Sequence, residues 1–297
     1  MTTKAGYVSI VGKPNAGKST LINAILGTKL SIVTPKPQTT RKNILGIISS
    51  ETSQVIFVDT PGFIKPRYEL QKSMVNNIIE SIQGTDLILI LFDVSDRDNI
   101  DFFLSSELIE IIKVQKKPAF LLINKIDLLK NVKDVLPLIA EFSKSNLFKE
   151  IFPISALKKA NIEDLLKSIE KYLTDSPFLF ETDIISTQND RFFASEIIRE
   201  RVFMSYGDEL PYSTEILINE FKEREKGKWY ISADIIIERE SQKKIIIGTK
   251  GEKIKAVGEI ARQNIEQFIQ HPVYLELFVK VRPKWRDNKS VLKSLGY

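Results

Sequence analysis

At 297 residues, 43% of them hydrophobic, the chain is too long for one average core and carries enough apolar material for two. It contains no cysteine, which excludes disulfide partners, thiolate metal sites and cysteine nucleophiles and agrees with a reducing compartment. Its formal charge of +5 is unevenly spread: residues 241–297 carry 12 basic against 5 acidic side chains and residues 176–240 carry 8 against 14, a clustering that suits a polyanion such as nucleic acid, or a membrane surface.

The opening MTTKAGYVSIVG has one lysine and no apolar stretch long enough for a signal peptide. Apolar runs such as Leu87–Phe92 fall far short of the roughly 20 residues that span a bilayer, so a soluble, cytoplasmic chain is expected. Tyr7–Val11 reads as a buried strand and Ser19–Leu26 as the helix after it. Between them stands Gly12-Lys13-Pro14-Asn15-Ala16-Gly17-Lys18-Ser19, followed by Thr20: a GxxxxGKS in the strand-to-helix context of a P-loop. Backbone N–H groups of such a loop and the positive end of its helix cradle phosphate oxygens, Lys18 reaches the β- and γ-phosphates, and the Ser19 hydroxyl can ligate Mg²⁺.

Val55–Asp59 is the next strand, ending in Asp59-Thr60-Pro61-Gly62 and then Phe63. There the carboxylate can hold Mg²⁺ through water and the Gly62 amide can sense a γ-phosphate. Helix Tyr68–Gln83, strand Leu87–Asp93, helix Asn99–Lys113 and strand Ala119–Ile123 follow, an α/β alternation that predicts a mostly parallel sheet covered on both faces. Asn124-Lys125-Ile126-Asp127 closes the last of these strands. Asp127 can accept from N1–H and the exocyclic amine of guanine, whereas adenine leaves such a carboxylate unpaired, so GTP rather than ATP is expected. After a helix over Val132–Ser145, Ile154-Ser155-Ala156 reads either as backbone amides for the guanine O6 or as a helix-entry turn. The half ends on a helix whose apolar face is Ile162, Leu165, Leu166, Ile169 and Leu173, with Asn161 at its cap and Asp164 three residues on.

Taken in order, these four motifs resemble the translation-factor-type GTPases, whose switch I the segment Gln38-Thr39-Thr40-Arg41, with Lys42 after it, also resembles. The resemblance implies that a threonine of this segment, taken as Thr40 rather than Thr39, completes the Mg²⁺ shell in the GTP state. It further implies that Asn15 holds a potassium ion beside the phosphates. Phe63 stands where the best-known small GTPases carry a water-orienting glutamine, so slow unaided turnover is expected.

The polar stop at Thr174–Pro177 marks a boundary, giving domains 1–175 and 181–297 with a linker at 176–180. A helix over Asp190–Met204, two strands at Glu215–Glu223 and Trp229–Glu238 joined by a turn at Gly227, a glycine-flanked loop, an amphipathic helix bearing Ile254, Val257, Ala261, Ile265 and Phe268, and a strand alternating Val273, Leu275, Leu277, Val279 and Val281 complete the pattern. The order and the loop Gly248-Thr249-Lys250-Gly251 resemble a type II KH domain, an α+β unit whose GxxG loop approaches single-stranded RNA phosphates, here flanked by Lys253 and Lys255. After the last strand, Arg282, Lys284 and Arg286 surround Trp285, which either stacks on a base or packs on its own domain. The lone His271, before Pro272, is expected to be exposed or capping.

A G domain followed by a type II KH domain resembles a family of bacterial ribosome-assembly GTPases. That resemblance implies a monomeric switch binding small-subunit ribosomal RNA near its 3′ end on the assembling subunit, with peripheral membrane contact as a further partner. The alternative is a GTPase whose basic second domain engages a protein or membrane instead of RNA.

Overall fold

The computed structural model describes residues 3–207 and 209–297. Their contacts divide into two compact units, the first running through Pro66 and again over Ser73–Thr187, the second comprising Arg67–Lys72 and Gln188–Tyr297.

In the first unit, strands β1 (Lys4–Gly12), β2 (Ile44–Ser49), β3 (Ser53–Asp59), β4 (Leu87–Asp93), β5 (Ala119–Asn124), β6 (Glu150–Pro153) and the short β7 (Thr174–Asp175) form one sheet, in the order β2-β3-β1-β4-β5-β6 with β7 beside the start of β1. All main pairings are parallel except β2 against β3. Helices α1 (Lys18–Leu26), α2 (Glu69–Gln83), α3 (Ile100–Leu104), α4 (Glu107–Gln115), α5 (Leu136–Ser143) and α6 (Ile162–Tyr172) make the connections. Strand β4 reads LILILFD, apolar on both faces because helices lie on both, and six of its seven residues are fully buried. Phe92, Phe103 and Phe142 meet edge to face beneath it, with centroids 4.9–5.8 Å apart.

Several expected boundaries shift for local reasons. The single helix expected over Asn99–Lys113 breaks at two serines: Ser105 Oγ donates to the Asp101 carbonyl at 2.8 Å and Ser106 Oγ to Phe103 at 2.6 Å, so their hydroxyls compete with the helical ladder. The helix expected from Val132 opens instead with a tight turn over Val132–Val135, whose Lys133 amide donates to Asn131 Oδ1 at 3.0 Å. Asn161 does not cap α6 with its side chain; it adopts left-handed backbone and donates its amide to the Pro153 carbonyl at 2.6 Å. Strand β2 was not predicted, since Gly46 interrupts its apolar run.

The linker expected at 176–180 is instead strapped to the first unit. Buried Gln54 accepts from the amides of Leu179 and Phe180 at 2.8 and 2.9 Å and donates to the Phe180 carbonyl at 2.8 Å. Further on, Ile47 N donates to Ile185 O at 2.9 Å and Ser186 Oγ to Leu45 O at 2.6 Å. The first unit therefore continues to Thr187.

The second unit contains α7 (Asp190–Ser205), β8 (Glu215–Lys222), β9 (Trp229–Ile237), α8 (Glu240–Ile247), α9 (Glu252–Ile269), β10 (Val273–Val281) and α10 (Lys289–Ser294). Its sheet is ordered β10-β9-β8, with β9 and β10 parallel and β8 antiparallel to β9. That is the order anticipated from the resemblance, except that the short segment before the glycine loop is the helix α8. A core of its own joins α7 and α9 to one face of the sheet through Ile198, Val202, Ile235, Ile237, Ala261 and Ile265. His271 stacks on Trp229, with ring centroids 4.7 Å apart. Among the described residues, no helix is long and apolar enough to cross a membrane.

Candidate functional site

The carboxyl end of the first sheet is where parallel α/β folds gather ligand groups, and the sequence motifs meet there. The loop from Gly12 to Lys18 turns from β1 into α1 with Asn15 and Gly17 at positive φ, 61° and 99°. Gly17 is required twice over: its backbone is left-handed, and a Cβ there would lie 2.2 Å from Asn124 Nδ2. Lys18 is 6% exposed, and its ammonium donates to the loop's own carbonyls, Gly12 at 3.2 Å and Lys13 at 2.9 Å. Burial pulls its pKa down to about 8 against the opposing pull of the Asp59 carboxylate.

Three oxygen groups converge beside it. Ser19 Oγ donates to Asp59 Oδ2 at 2.7 Å and lies 2.8 Å from Thr40 Oγ1. A hydroxyl pair and a carboxylate form an all-oxygen set of the kind that suits a hard cation such as Mg²⁺. Thr39 points elsewhere, bonding Thr34 Oγ1 at 2.7 Å and the Lys36 carbonyl at 2.8 Å. Thr60 donates its hydroxyl to the Ile10 carbonyl at 2.7 Å, and Gly62 lies against Pro14 while the Phe63 amide bonds Gly12 O at 3.0 Å. Arg41 is buried at 2% exposure, Gln38 has positive φ, and Lys42 is half-buried. A cleft of about 450 Å³ lies between the loop and residues 32–40.

On the other side, Asn124 Nδ2 donates to the Ala16 carbonyl at 2.8 Å while its Oδ1 accepts from the Ala156 amide at 3.0 Å. Asp127 is exposed, one carboxylate oxygen fixed by Ser155 Oγ at 2.5 Å. Ser155 also accepts from the Lys158 amide at 3.0 Å, and the turn after it does not open a helix, since α6 begins only at Ile162. Ile126 is buried.

Some residues at this site escaped the sequence. Pro35 accepts from Asn15 Nδ2 at 2.9 Å, Asp93 pairs with Lys125 at 2.5 Å, and Asp96 pairs with Lys13 at 2.9 Å. Asp93 was legible in principle, because it ends β4 directly opposite Asn124, which ends β5. Pro35 and Asp96 act from loops that no spacing rule marks.

In the second unit, Gly248 and Gly251 have φ of 72° and 82° and Lys250 joins them at 50°. A Cβ on Gly248 would meet Lys253 Cγ at 2.7 Å, so only glycine closes this turn. Thr249, Lys250, Lys253 and Lys255 are exposed beside the start of α9, where helix-terminal N–H groups favour anions. The segment after β10 corrects one expectation. Trp285 is fully buried and donates Nε1–H to the Ser213 carbonyl at 2.9 Å, so it anchors the chain and does not offer a ring to a base. Arg286 pairs with Glu238 at 2.5 Å and Arg282 is half-buried, which leaves Lys284 as the exposed cation of this group.

Comparison with known proteins matches residues 7–125 to a family described as 50S ribosome-binding GTPase and residues 209–286 to the KH domain. The GTPase Era of Clostridium botulinum is 43% identical over 296 residues, covering 99% of this chain and 98% of its own. That of Ruminiclostridium cellulolyticum is 42% identical over 297 residues, covering 100% and 98%. Among solved structures, Era in complex with MgGDPNP and nucleotides 1506–1542 of 16S ribosomal RNA superposes with a TM-score of 0.94 at 43% identity over 99% of both chains. An Aquifex aeolicus Era variant bound to GDP and aluminium fluoride gives 0.93 at the same identity and coverage.

Proposed function

This chain belongs to the Era family of GTPases, and from that membership we propose that it is a cytoplasmic, monomeric GTP-hydrolysing switch that binds small-subunit ribosomal RNA near its 3′ end during subunit assembly. The observation that carries the proposal is its likeness, across both units at once, to an Era structure holding a GTP analogue with magnesium and a 16S fragment. The family description naming the large subunit covers residues 7–125 alone, so the RNA-bearing relative, which extends over the KH domain, is the better guide.

In this reading, the Gly12–Ser19 loop, with Thr20 behind it, wraps the phosphates, and Lys18 exchanges its loop carbonyls for phosphate oxygens. Ser19, Thr40 and, through water, Asp59 would hold the magnesium ion, which bridges phosphate oxygens and offsets charge built up in phosphoryl transfer. Thr40 is favoured over Thr39 by its 2.8 Å approach to Ser19. Thr60, Pro61 and Gly62 carry the γ-phosphate signal toward Phe63, while switch I, from Gln38 to Lys42, closes the opposite wall. Asp127 reads guanine, steadied by Ser155, with Lys125, Ile126 and the Ala156 amide forming the rest of the base pocket. With Phe63 in place of a water-orienting glutamine, unaided turnover is slow. Asn15 is the candidate potassium ligand; equal hydrolysis rates in sodium and potassium would remove that assignment.

RNA is taken up at Gly248–Gly251, with Lys253, Lys255 and Lys284 supplying charge; Trp285, and Arg286 in its ion pair, are supports. The test is crosslinking to cellular RNA with a non-hydrolysable GTP analogue or GDP, using Thr249→Asp combined with Lys250→Asp as control. Reads concentrated at the 3′ end of small-subunit RNA, dependent on GTP and lost in the variant, are expected. Diffuse reads indifferent to nucleotide and variant would turn the assignment toward a protein partner or the inner membrane face.

A further inference from the structure

The three-stranded sheet of the second unit has two unlike faces. Ile231, Ala233, Ile235, Val273 and Leu277 turn into the core under α7 and α9. Their alternating neighbours stand on the other side, where Ser232, Asp234 and Ile236 of β9 are buried while Tyr274, Phe278 and Lys280 of β10 reach solvent. Strand register sets Tyr274 opposite Tyr230 and Phe278 opposite Asp234. The Tyr230 and Tyr274 rings are nearly parallel, 16° between planes with centroids 6.1 Å apart. Both phenols converge on one carboxylate, Tyr230 Oη donating to Glu276 Oε2 at 2.6 Å and Tyr274 Oη to Oε1 at 3.4 Å. The Glu276 hydrogen bond raises the Tyr230 pKa, which keeps the phenol a donor and the ring fixed.

The surroundings of these rings decide what they suit. Tyr274 is 53% exposed and Phe278 49%. Lys222 Nζ and the Arg224 guanidinium lie 5.7 and 5.8 Å from the Tyr230 centroid, and Lys280 beside Phe278 is held by Asp234 at 2.7 Å. Protein interfaces concentrate aromatic rings but deplete lysine and glutamate among them; here lysine and glutamate are interleaved with the rings. Open aromatic faces bordered by cations are the combination that binds single-stranded nucleic acid without reading its sequence. Four residues of strand separate Tyr274 from Phe278 by roughly 13 Å, far enough for each ring to take its own base.

We propose that the exposed side of β10, on the sheet face away from the helices, is a second RNA site, a stacking platform on which bases of a single strand lie against Tyr274 and Phe278 while its phosphates pass Lys222, Arg224 and Lys280. It lies on the sheet face opposite the helices, apart from the Gly248–Gly251 loop. The inference rests on the RNA-binding reading and extends it.

The test uses the full chain and fluorescent twelve-nucleotide oligoadenylate and oligouridylate. Tyr274→Leu with Phe278→Leu keeps apolar area on the strand and removes both rings; Tyr274→Phe keeps the ring. With one base stacked per ring, the leucine pair is expected to weaken oligoadenylate binding by roughly thirtyfold or more. Tyr274→Phe should bind as the unmodified chain does, and ultraviolet crosslinks on the unmodified chain should map to residues 273–280. Unchanged affinity in the leucine pair, or crosslinks absent from that peptide, overturns the platform, and the crosslink decides even if the leucine pair fails to fold. Loss through the Thr249→Asp, Lys250→Asp variant alone would overturn the platform and leave the RNA-binding reading standing. Failure of the unmodified chain to bind either oligonucleotide or ribosomal RNA would overturn both.

Discussion

Lys18 combines near-complete burial with the proposed polyphosphate-binding role, and its pKa of about 8 follows chiefly from desolvation. Between about pH 8 and its ordinary value near 10.5, the unfolded chain binds this proton and the folded, ligand-free chain does not, so the group's contribution to stability rises with pH across that window. Phosphate oxygens replace the lost solvation and restore the proton. Nucleotide binding at pH 9 should therefore take up close to one proton, seen as a buffer-dependent enthalpy in calorimetry, and GDP affinity should fall as pH climbs from 8 to 10. An enthalpy independent of the buffer would mean that Lys18 stays charged throughout. Trp285 is the opposite case, a residue whose role its neighbours in sequence disguise. Three cations surround it along the chain, yet its partner is the Ser213 carbonyl, 72 residues away. Trp285→Ala should cost about 3–5 kcal/mol by urea denaturation, whereas Trp285→Phe should leave RNA affinity at the wild-type level. A specific loss of RNA binding in the phenylalanine variant would return the ring to the interface. The placement of Lys18 and Asp127 at the carboxyl end of the sheet was legible because each belongs to a motif of fixed spacing that follows an apolar strand. The burial of Trp285 depends on a contact that spacing cannot express.

Elements follow the same division. Strands β1, β3, β4 and β5 were readable as apolar runs because helices cover both faces, and their motifs sit at the ends that read as strand termini. Edge strand β2, the serine break between α3 and α4, and the strap over residues 176–187 were not: Gly46 interrupts the apolar run of β2, and the other two depend on a hydroxyl or amide choosing between partners of similar merit. Gln54 is the joint of that strap, making three hydrogen bonds to Leu179 and Phe180 from full burial. Gln54→Ala leaves two amides and a carbonyl to find water, at about 1–3 kcal/mol for each group left unpaired. Amide exchange at Leu179 and Phe180 should accelerate at least tenfold in this variant while exchange in β4 stays as it was. Unchanged protection at 179–180 would shift the strap's anchorage to Ile47 and Leu45.

At the scale of the molecule, a switch requires the nucleotide and RNA sites to share a free energy. A coupling of about 1–3 kcal/mol would make the GTP-bound form bind the small-subunit 3′ segment roughly 5- to 150-fold more tightly than the GDP-bound form, and RNA would tighten GTP over GDP by the same factor. Fluorescence titrations in both directions measure it, and RNA affinity indifferent to the nucleotide would make this a constitutive RNA binder. The order of the two units was plain in the sequence; where the first one stops was not. That the main run of the first unit is complete at Thr187, with a hydrophobic cluster drawn only from its own residues, matters during synthesis. About 110 residues of the second unit still have to be added at that point, which takes roughly 5 to 20 s of translation. A GTP-binding half with its own core can close on cellular nucleotide within that interval, so a newly made molecule enters the RNA pool with its nucleotide already chosen.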